Sequence, residues 1–371
     1  MNILVVNWQD ITNPQAGGAE VHFQEIFSRI AARGHNVTLC CSSYAGAPAG
    51  ETIGGVRIIR RGGRALFNFR FPLTYIAALR RERFDVVVED LNKVPFFTPL
   101  YVRRPLAGIG HHLFGASVFR ETALPAAAYV YALERAALAL YRKRIPFMVV
   151  SPSTEAEFRA HGFAASRLRV ITNCVDHARY TPGRKSPVPL LLWFGRLKRY
   201  KSADHFLRAL PRVREAFPSA RAVVAGGGDD LPRLEAIARE AGLAGSVEFT
   251  GYVDEETKIR LLREAWCTVA TSMKEGWGLT VVESNACGTP SVAADVPGLR
   301  DAVRDGATGL LYRHGNLEDL AACLKRVIGD SALRARLGEE AIRWAARFDW
   351  DRSAAETLEF LRGVVSAGGD A

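Results

Sequence analysis

A chain of 371 residues, 48% of them hydrophobic, is long enough for two domains with a buried core each, which excludes a small scaffold that depends on staples. No run approaches the roughly 20 apolar residues of a membrane-spanning helix, and Met1-Asn2-Ile3-Leu4 passes straight into strand-type sequence without a basic leader or cleavage site, so a cytoplasmic protein is expected. Of the net charge of +10, residues 1–178 carry +8 (21 Lys/Arg against 13 Asp/Glu), which suits an anionic partner such as nucleic acid, an acidic membrane surface or a phosphorylated substrate, although plain solubility accounts for the same charge.

Residues 2–7 form a short apolar strand, 18–33 an amphipathic helix ending at Gly34, and 36–41 a second strand. Strand patterns continue at 56–60, 84–89, 105–109 and 147–150, with helical patterns at 73–83, 124–144 and 154–161 between them. Such alternation predicts an α/β fold with a doubly wound parallel sheet. Residues 180–189 (YTPGRKSPVP) break the periodicity and read as a linker. After it come strands at 190–194, 221–225, 246–250, 267–271 and 291–293, alternating with helices at 203–216, 231–241, 254–264 and 278–287. Amphipathic stretches at 317–328, 331–348 and 350–365 close the chain. The expected organisation is a first domain over 1–179, completed by the C-terminal helix 350–371, and a second over 180–349. Six cysteines without a CxxC pair read as buried free thiols.

Ligands of open parallel sheets bind beyond the carboxyl ends of the strands, and distinctive residues follow four of them. Gly17-Gly18-Ala19-Glu20 opens the first helix, where glycines and free N–H groups admit an anion, although glycine at a helix start is also a common turn device. Gly195-Arg196-Leu197-Lys198-Arg199-Tyr200-Lys201 places four cations after a strand, suited to a diphosphate or else to solvent. The stretch Glu275-Gly276-Trp277-Gly278-Leu279-Thr280-Val281-Val282-Glu283 sets two carboxylates around a glycine-rich helix start. Gly110-His111-His112 ends a further strand; two such histidines between glycines suit a cleft, while one of them can be purely structural.

In this order these motifs, with Asn173-Cys174-Val175-Asp176, resemble the retaining glycosyltransferases of family four (glycosyltransferase group 1), and the resemblance spans nearly the whole chain. It implies the GT-B architecture, two tandem Rossmann-like doubly wound domains facing a central cleft, with the last helix returning to the first domain and hinge closure completing the site. It further implies transfer of a hexose from a UDP- or GDP-sugar, used as a substrate with no cofactor. Gly17 and Gly18 would lie against the donor phosphates, and Arg196 and Lys201 would hold the diphosphate. Glu275, beside Gly276, Gly278 and Leu279, would bind the transferred sugar, and Glu283 the ribose. His111 would contact a sugar hydroxyl, and the loop around Tyr252 would serve the base. Glu20 would order the loop at Gly17 and Gly18 or face the acceptor, while His112, the reserve for the sugar contact, and Asn173 would fall on the acceptor side. Cys174 departs from the glycine usual at its position.

No DxD motif closes a strand, Glu89-Asp90 being the nearest candidate, so metal independence is expected. The acceptor is expected to be lipid-linked, a polysaccharide or a small molecule. Arg57, Arg60, Arg61, Arg64 and Arg70 around 66–69, with Arg103 and Arg104 after the apolar run 94–102, suggest a face for an anionic membrane, on whose inner side the protein would be peripheral; the same apolar residues read equally as core. Two rival readings remain: a nucleotide-sugar epimerase of the same architecture, and a non-enzymatic basic nucleic-acid-binding protein, for which no recognised motif speaks. A dinucleotide-dependent oxidoreductase lacks its GxGxxG, and Gly226-Gly227-Gly228 is sufficiently explained by a turn.

Overall fold

The computed structural model describes residues 1–92, 94–120 and 122–369. They form two compact units, one of Met1–Asn173 joined by the chain from Trp350 onward, the other of Cys174–Asp349. Cys174–Arg179 thus goes with the second unit, where the linker-based boundary put it with the first. Its backbone is held there by the Val175 N–H, which donates to the Phe348 carbonyl at 3.4 Å.

The first unit is built on an eight-stranded sheet in the order β3-β4-β2-β1-β5-β6-β7-β8, formed by β1 (Asn2–Val6), β2 (Asn36–Ser43), β3 (Gly50–Ile53), β4 (Val56–Gly63), β5 (Val86–Leu91), β6 (Leu106–Gly110), β7 (Phe147–Val149) and β8 (Leu168–Val170). All pairings are parallel except β3 with β4. The sequence pattern did not show β3 or β8: β3 is a half-exposed edge strand with a single large apolar residue, and β8 is only three residues long. Helices α1 (Gly18–Ala32), α2 (Phe67–Ala77), α3 (Leu124–Tyr141) and α4 (Pro152–Ala160) connect the strands. The helix expected at 73–83 lies six residues earlier as α2, followed by a short turn at Leu79–Arg81. Phe67, Phe71 and Tyr75 anchor it by packing against Trp8, Phe96 and Val87, and Pro72 is tolerated inside it.

The C-terminal helix α12 (Trp350–Gly369) packs on α1, where Asp351 lies 3.5 Å from both Arg29 and Arg33 and Ser353 Oγ donates to the Thr172 carbonyl at 3.1 Å. The last two residues of the 350–371 stretch lie outside the described residues.

In the second unit a wholly parallel sheet runs in the order β11-β10-β9-β12-β13-β14: β9 (Leu190–Phe194), β10 (Arg221–Ala225), β11 (Val247–Gly251), β12 (Cys267–Ala270), β13 (Ser291–Ala294) and β14 (Gly309–Tyr312). Around it lie α5 (Ala203–Ala216), α6 (Leu231–Glu240), α7 (Glu255–Glu264), α8 (Leu279–Ala286), α9 (Leu299–Ala302), α10 (Leu317–Gly329) and α11 (Ser331–Ala345). Here the apolar runs and helix periods match the sequence reading closely, β14 and the single turn α9 being additions. All six cysteines are free and buried.

The basic cluster read near residue 60 divides on folding. Arg60 is no surface residue: its side chain is fully buried, with Nε 2.7 Å from Asp10 Oδ2, one terminal nitrogen 3.0 Å from Asp10 Oδ1 and the other 2.5 Å from Glu51. Arg57 pairs with Glu82 at 2.8 Å. Burial alone would push the Asp10 carboxyl up, but the Arg60 guanidinium and the Thr12 hydroxyl hold it below the usual carboxylate range. That contribution to stability is therefore complete above the ordinary Asp value and lost as pH falls through the depressed one. Asp10→Ala removes the buried partner of the guanidinium and leaves it only the Glu51 carboxylate, so it should destabilise the first unit by up to about 3–5 kcal/mol. Arg60→Met in the same chain should recover part of the loss, as read in urea unfolding curves; equal stability of the single variant and the wild type would contradict this account.

Candidate functional site

The order of the parallel strands reverses between β1 and β5 in the first unit and between β9 and β12 in the second. Loops leaving adjacent strands at such a point diverge to opposite faces and leave a crevice at the carboxyl ends. The residues selected from the sequence collect at these two places, and each unit is described by itself.

In the second unit the loop after β9 carries Arg196 and Lys201, and the loop after β12 carries Glu275. Lys201 Nζ reaches Glu275 Oε1 at 2.5 Å across the switch point, and Ser272 Oγ donates to the same oxygen at 2.6 Å. Burial works against the Lys201 charge, but the Glu275 carboxylate outweighs it and raises the ammonium above its ordinary value, so Lys201 stays ionised at neutral pH. Thr271 Oγ1 fixes the two loops by donating to the Lys201 carbonyl at 2.7 Å while accepting from Trp193 Nε1 at 2.9 Å. Arg196 is exposed and has no carboxylate partner among the described residues.

These loops lie backbone against backbone, and glycine permits it. Leu197 N–H donates to the Gly227 carbonyl at 2.9 Å, and a Cβ on Gly228 would stand 2.1 Å from the Leu197 carbonyl oxygen. On the other side a Cβ on Gly298 (φ +82) would stand 2.2 Å from the Glu275 carbonyl oxygen. The glycine run at 226–228, read as a mere turn, therefore supports the cationic loop; strand-end glycines facing another loop are the signal that reveals such packing.

Gly276 lies in the Glu275 loop, while Gly278 (φ +104) precedes α8 at Leu279 without a side-chain cap, the Val281 N–H turning back to the Gly278 carbonyl at 2.9 Å. Glu283 lies a turn further and is buried. Its Oε1 accepts from Lys258 Nζ at 2.7 Å and from the Tyr180 hydroxyl, whereas Oε2 has no partner among the described residues. Burial raises the Glu283 carboxyl, with Lys258 opposing. A buried acceptor without a donor fits a ligand hydroxyl. Tyr252 stands 89% exposed beyond β11, with its ring free of the unit.

In the first unit Glu20 Oε2 accepts the Gly17 N–H at 2.7 Å, so Glu20 orders the helix start and that N–H is occupied. A Cβ on Gly18 would meet nothing within 4 Å, so packing inside the unit does not demand glycine there. His111 is buried, with Nε2 3.2 Å from Asp90 Oδ1, and His112 stands half-buried against Phe114. The loop after His112 is clamped from α3, where both Glu134 oxygens accept, from Phe114 N–H at 2.6 Å and Gly115 N–H at 2.7 Å.

Sequence reasoning missed His22. Its ring meets His111 edge to face at 5.1 Å, and its Nδ1 donates to Asn173 Oδ1 at 2.5 Å. Its place one turn beyond Gly18 on the same helix face was the available signal. Asn173 is thus tied up under His22. Glu89, half of the metal candidate, is spent on structure: its oxygens accept from Phe96 N–H, Thr98 and the Tyr141 hydroxyl. Among the described residues no group of three or more His, Cys, Asp or Glu side chains is arranged to hold a metal ion.

The two histidines titrate apart. Burial, with the neighbouring His111, pushes His22 down to about 3, while for His111 burial is outweighed by the Asp90 carboxylate and, at longer range, Glu20, which raise it above the ordinary value. The charged His111–Asp90 pair therefore stabilises the fold fully below the ordinary histidine value, and this is lost as pH rises through the raised one. In proton NMR titration His111 should show a midpoint above about 6.5 that falls in Asp90→Asn, with His22 silent between pH 5 and 8; a lower His111 midpoint in the wild type would refute the pairing. For the second unit, Gly298→Ala should displace the Glu275 loop and cost about 1–3 kcal/mol, read by thermal unfolding.

Comparison with known proteins agrees with this layout. Residues 16–179 match the model of Glycosyltransferase Family 4, and residues 178–344 that of Glycosyl transferases group 1. A D-inositol 3-phosphate glycosyltransferase of Nocardiopsis dassonvillei is 35% identical over an aligned length of 240, the match covering 59% of this chain and 56% of that protein; the chain spans about half the length of the curated relatives it matches. Among solved structures, a sucrose-phosphate synthase from Thermosynechococcus elongatus superposes with a TM-score of 0.86 over 99% of both chains at 21% identity. HepE of Anabaena, solved with UDP and glucose, does so with 0.79 over 98% of this chain and 99% of its own at 19% identity. These likenesses show the GT-B fold.

Proposed function

We propose that this chain, which belongs to the glycosyltransferases built from a Family 4 and a group 1 domain, transfers a hexose from a nucleoside-diphosphate sugar to an acceptor, with retention and without a metal ion. The observation that carries the reading is the meeting of Lys201, Glu275 and the uncapped start of α8 at the switch point of the second sheet.

Departure of a diphosphate leaves positive charge on the sugar ring and negative charge on the leaving oxygens. Arg196, Lys201 and the first N–H groups of α8 answer the negative charge, and Glu275 takes sugar hydroxyls. Glu283 Oε2 accepts from the ribose. The loop at Gly251 and Tyr252 serves the base, UDP and GDP being the favoured donors; HepE, solved with UDP and glucose, supports the class of ligand. From the first unit, His111 as an imidazolium donates to a sugar hydroxyl, Gly18 leaves room for phosphate, and His112 faces the acceptor. The bonds made by Glu20 and Asn173 favour positioning roles for both.

Neutralisation by fixed cations and helix dipole makes a divalent ion unnecessary, in line with the spent Glu89 and paired Asp90. The acceptor is a lipid-linked sugar, a polysaccharide or a small molecule on the cytoplasmic side. The relatives named above support transfer over epimerisation or nucleic-acid binding.

Thermal unfolding of the purified chain with UDP-, GDP- and ADP-sugars tests the reading. A donor at about a hundred times its Kd adds about 2.7 kcal/mol, about 5–10 °C for a unit of this size. One donor should give this shift, and Glu275→Ala and Lys201→Ala should abolish it. No shift with any donor refutes the proposal, and interconversion of the donor sugar without acceptor would replace it with the epimerase.

A further inference from the structure

Among the described residues, large apolar side chains standing in solvent concentrate in one stretch of the first unit. Leu66, Phe69, Leu73 and Ile76 are 55, 58, 69 and 43% exposed; Leu100, Phe119, Leu124 and Tyr129 follow, and Tyr252 and Ile342 are the exceptions elsewhere. The first four recur at intervals of three, four and three residues and so share one face of α2 and the turn before it. The opposite face, Phe67, Phe71 and Tyr75, is sealed in the core. Asn68 Nδ2 donates to the Tyr129 hydroxyl at 3.3 Å, which joins α2 to α3 and to its exposed Leu124.

Charge concentrates in the same stretch. Residues 57–144 hold 16 Lys/Arg against 6 Asp/Glu, a balance of +10 that equals the net charge of the whole chain. The acids there are committed: Glu82 to Arg57, Asp85 to the Asn2 N–H, and Glu89, Asp90 and Glu134 inside the fold, while Glu121 lies outside the described residues. Arg64, Arg70, Arg80, Arg81, Arg103 and Arg104 are exposed and have no carboxylate partner among the described residues. Arg80 and Arg104 stand near enough to α2 for their charges to act on Tyr75.

A row of three aliphatic side chains and one phenyl ring, rimmed by arginines without a carboxylate partner among the described residues, selects its partner. Leu66, Leu73 and Ile76 offer bases nothing to stack on, and Phe69 alone is no stacking platform for successive bases, which disfavours nucleic acid, and a second copy would bring two strongly positive faces together. We propose that α2 and the turn before it lie on an anionic lipid bilayer, the row Leu66, Phe69, Leu73 and Ile76 entering the acyl boundary and the flanking arginines meeting headgroup phosphates. The surface lies wholly within the first unit and is independent of the donor site, so its failure would leave the transferase reading intact.

Co-sedimentation of the whole chain with vesicles of phosphatidylcholine, with or without phosphatidylglycerol, tests this at low salt. Binding should require the anionic lipid and weaken about fivefold for each of Arg64→Gln and Arg70→Gln. A Leu73→Cys chain carrying an environment-sensitive fluorophore should shift to the blue on the vesicles. Phe69→Ser with Leu73→Ser should abolish binding while thermal unfolding is unchanged. Absence of binding at low salt, binding indifferent to these substitutions, or a dimer in sedimentation velocity that the Phe69→Ser, Leu73→Ser chain loses would each overturn the proposal, the last in favour of a second copy.

Discussion

An ammonium and a carboxylate 2.5 Å apart, Lys201 and Glu275, bridge the two loops that leave β9 and β12 in opposite directions, and the second unit is fitted around that pair. Parallel strands with their order reversed at this point deliver the loops. The pair endures half-buried because each charge answers the other and Ser272 donates to the carboxylate. Neighbouring loops can lie close enough to fix it only where Cβ atoms are missing, at Gly228 against the Leu197 carbonyl and at Gly298 against that of Glu275. Charge, topology and the absence of side chains thus form one constraint.

The first unit solves a related problem with other groups. Glu89 and Asp90 are adjacent on β5, and the period of two sends them to opposite faces of the strand. On one face is interior scaffold, where Glu89 is consumed by Thr98, Tyr141 and the Phe96 N–H; on the other Asp90 meets His111, the residue that follows β6. A single strand end therefore supplies a structural acceptor and a partner that charges a histidine. His22, neutral beside His111 and held by Asn173, completes the arrangement.

Arginines close in sequence also part company on folding. Arg60 is the interior counter-charge of Asp10, and Arg57 is engaged with Glu82, whereas Arg64 and Arg70 stand free in solvent among the described residues. A residue's place relative to the sheet, rather than the local density of charge, decides whether it is structural or available. The apolar residues of 66–76 divide in the same way, half in the core and half outside it.

Element type was legible from periodicity wherever burial follows one rule for long enough: the second unit's buried strands and amphipathic helices, such as 190–194 and 203–216, fall where the pattern put them. The strand-end motifs, with their glycines and their Arg, Lys, Glu and His, were equally plain, because each directly follows an apolar strand pattern. Short edge strands such as β3 and β8 left too little pattern to read, and α2 slid six residues because its aromatic anchors are defined by Trp8 and Phe96, distant along the chain. The pairings that give the motifs their chemistry, Lys201 with Glu275, Asp90 with His111, His22 with Asn173 and Arg60 with Asp10, join residues 21 to 151 positions apart. Composition and spacing determined which groups stand at the strand ends; only the tertiary structure decided which of them meet, because an ion pair or hydrogen bond depends on distances of a few ångströms that strand order and register alone establish.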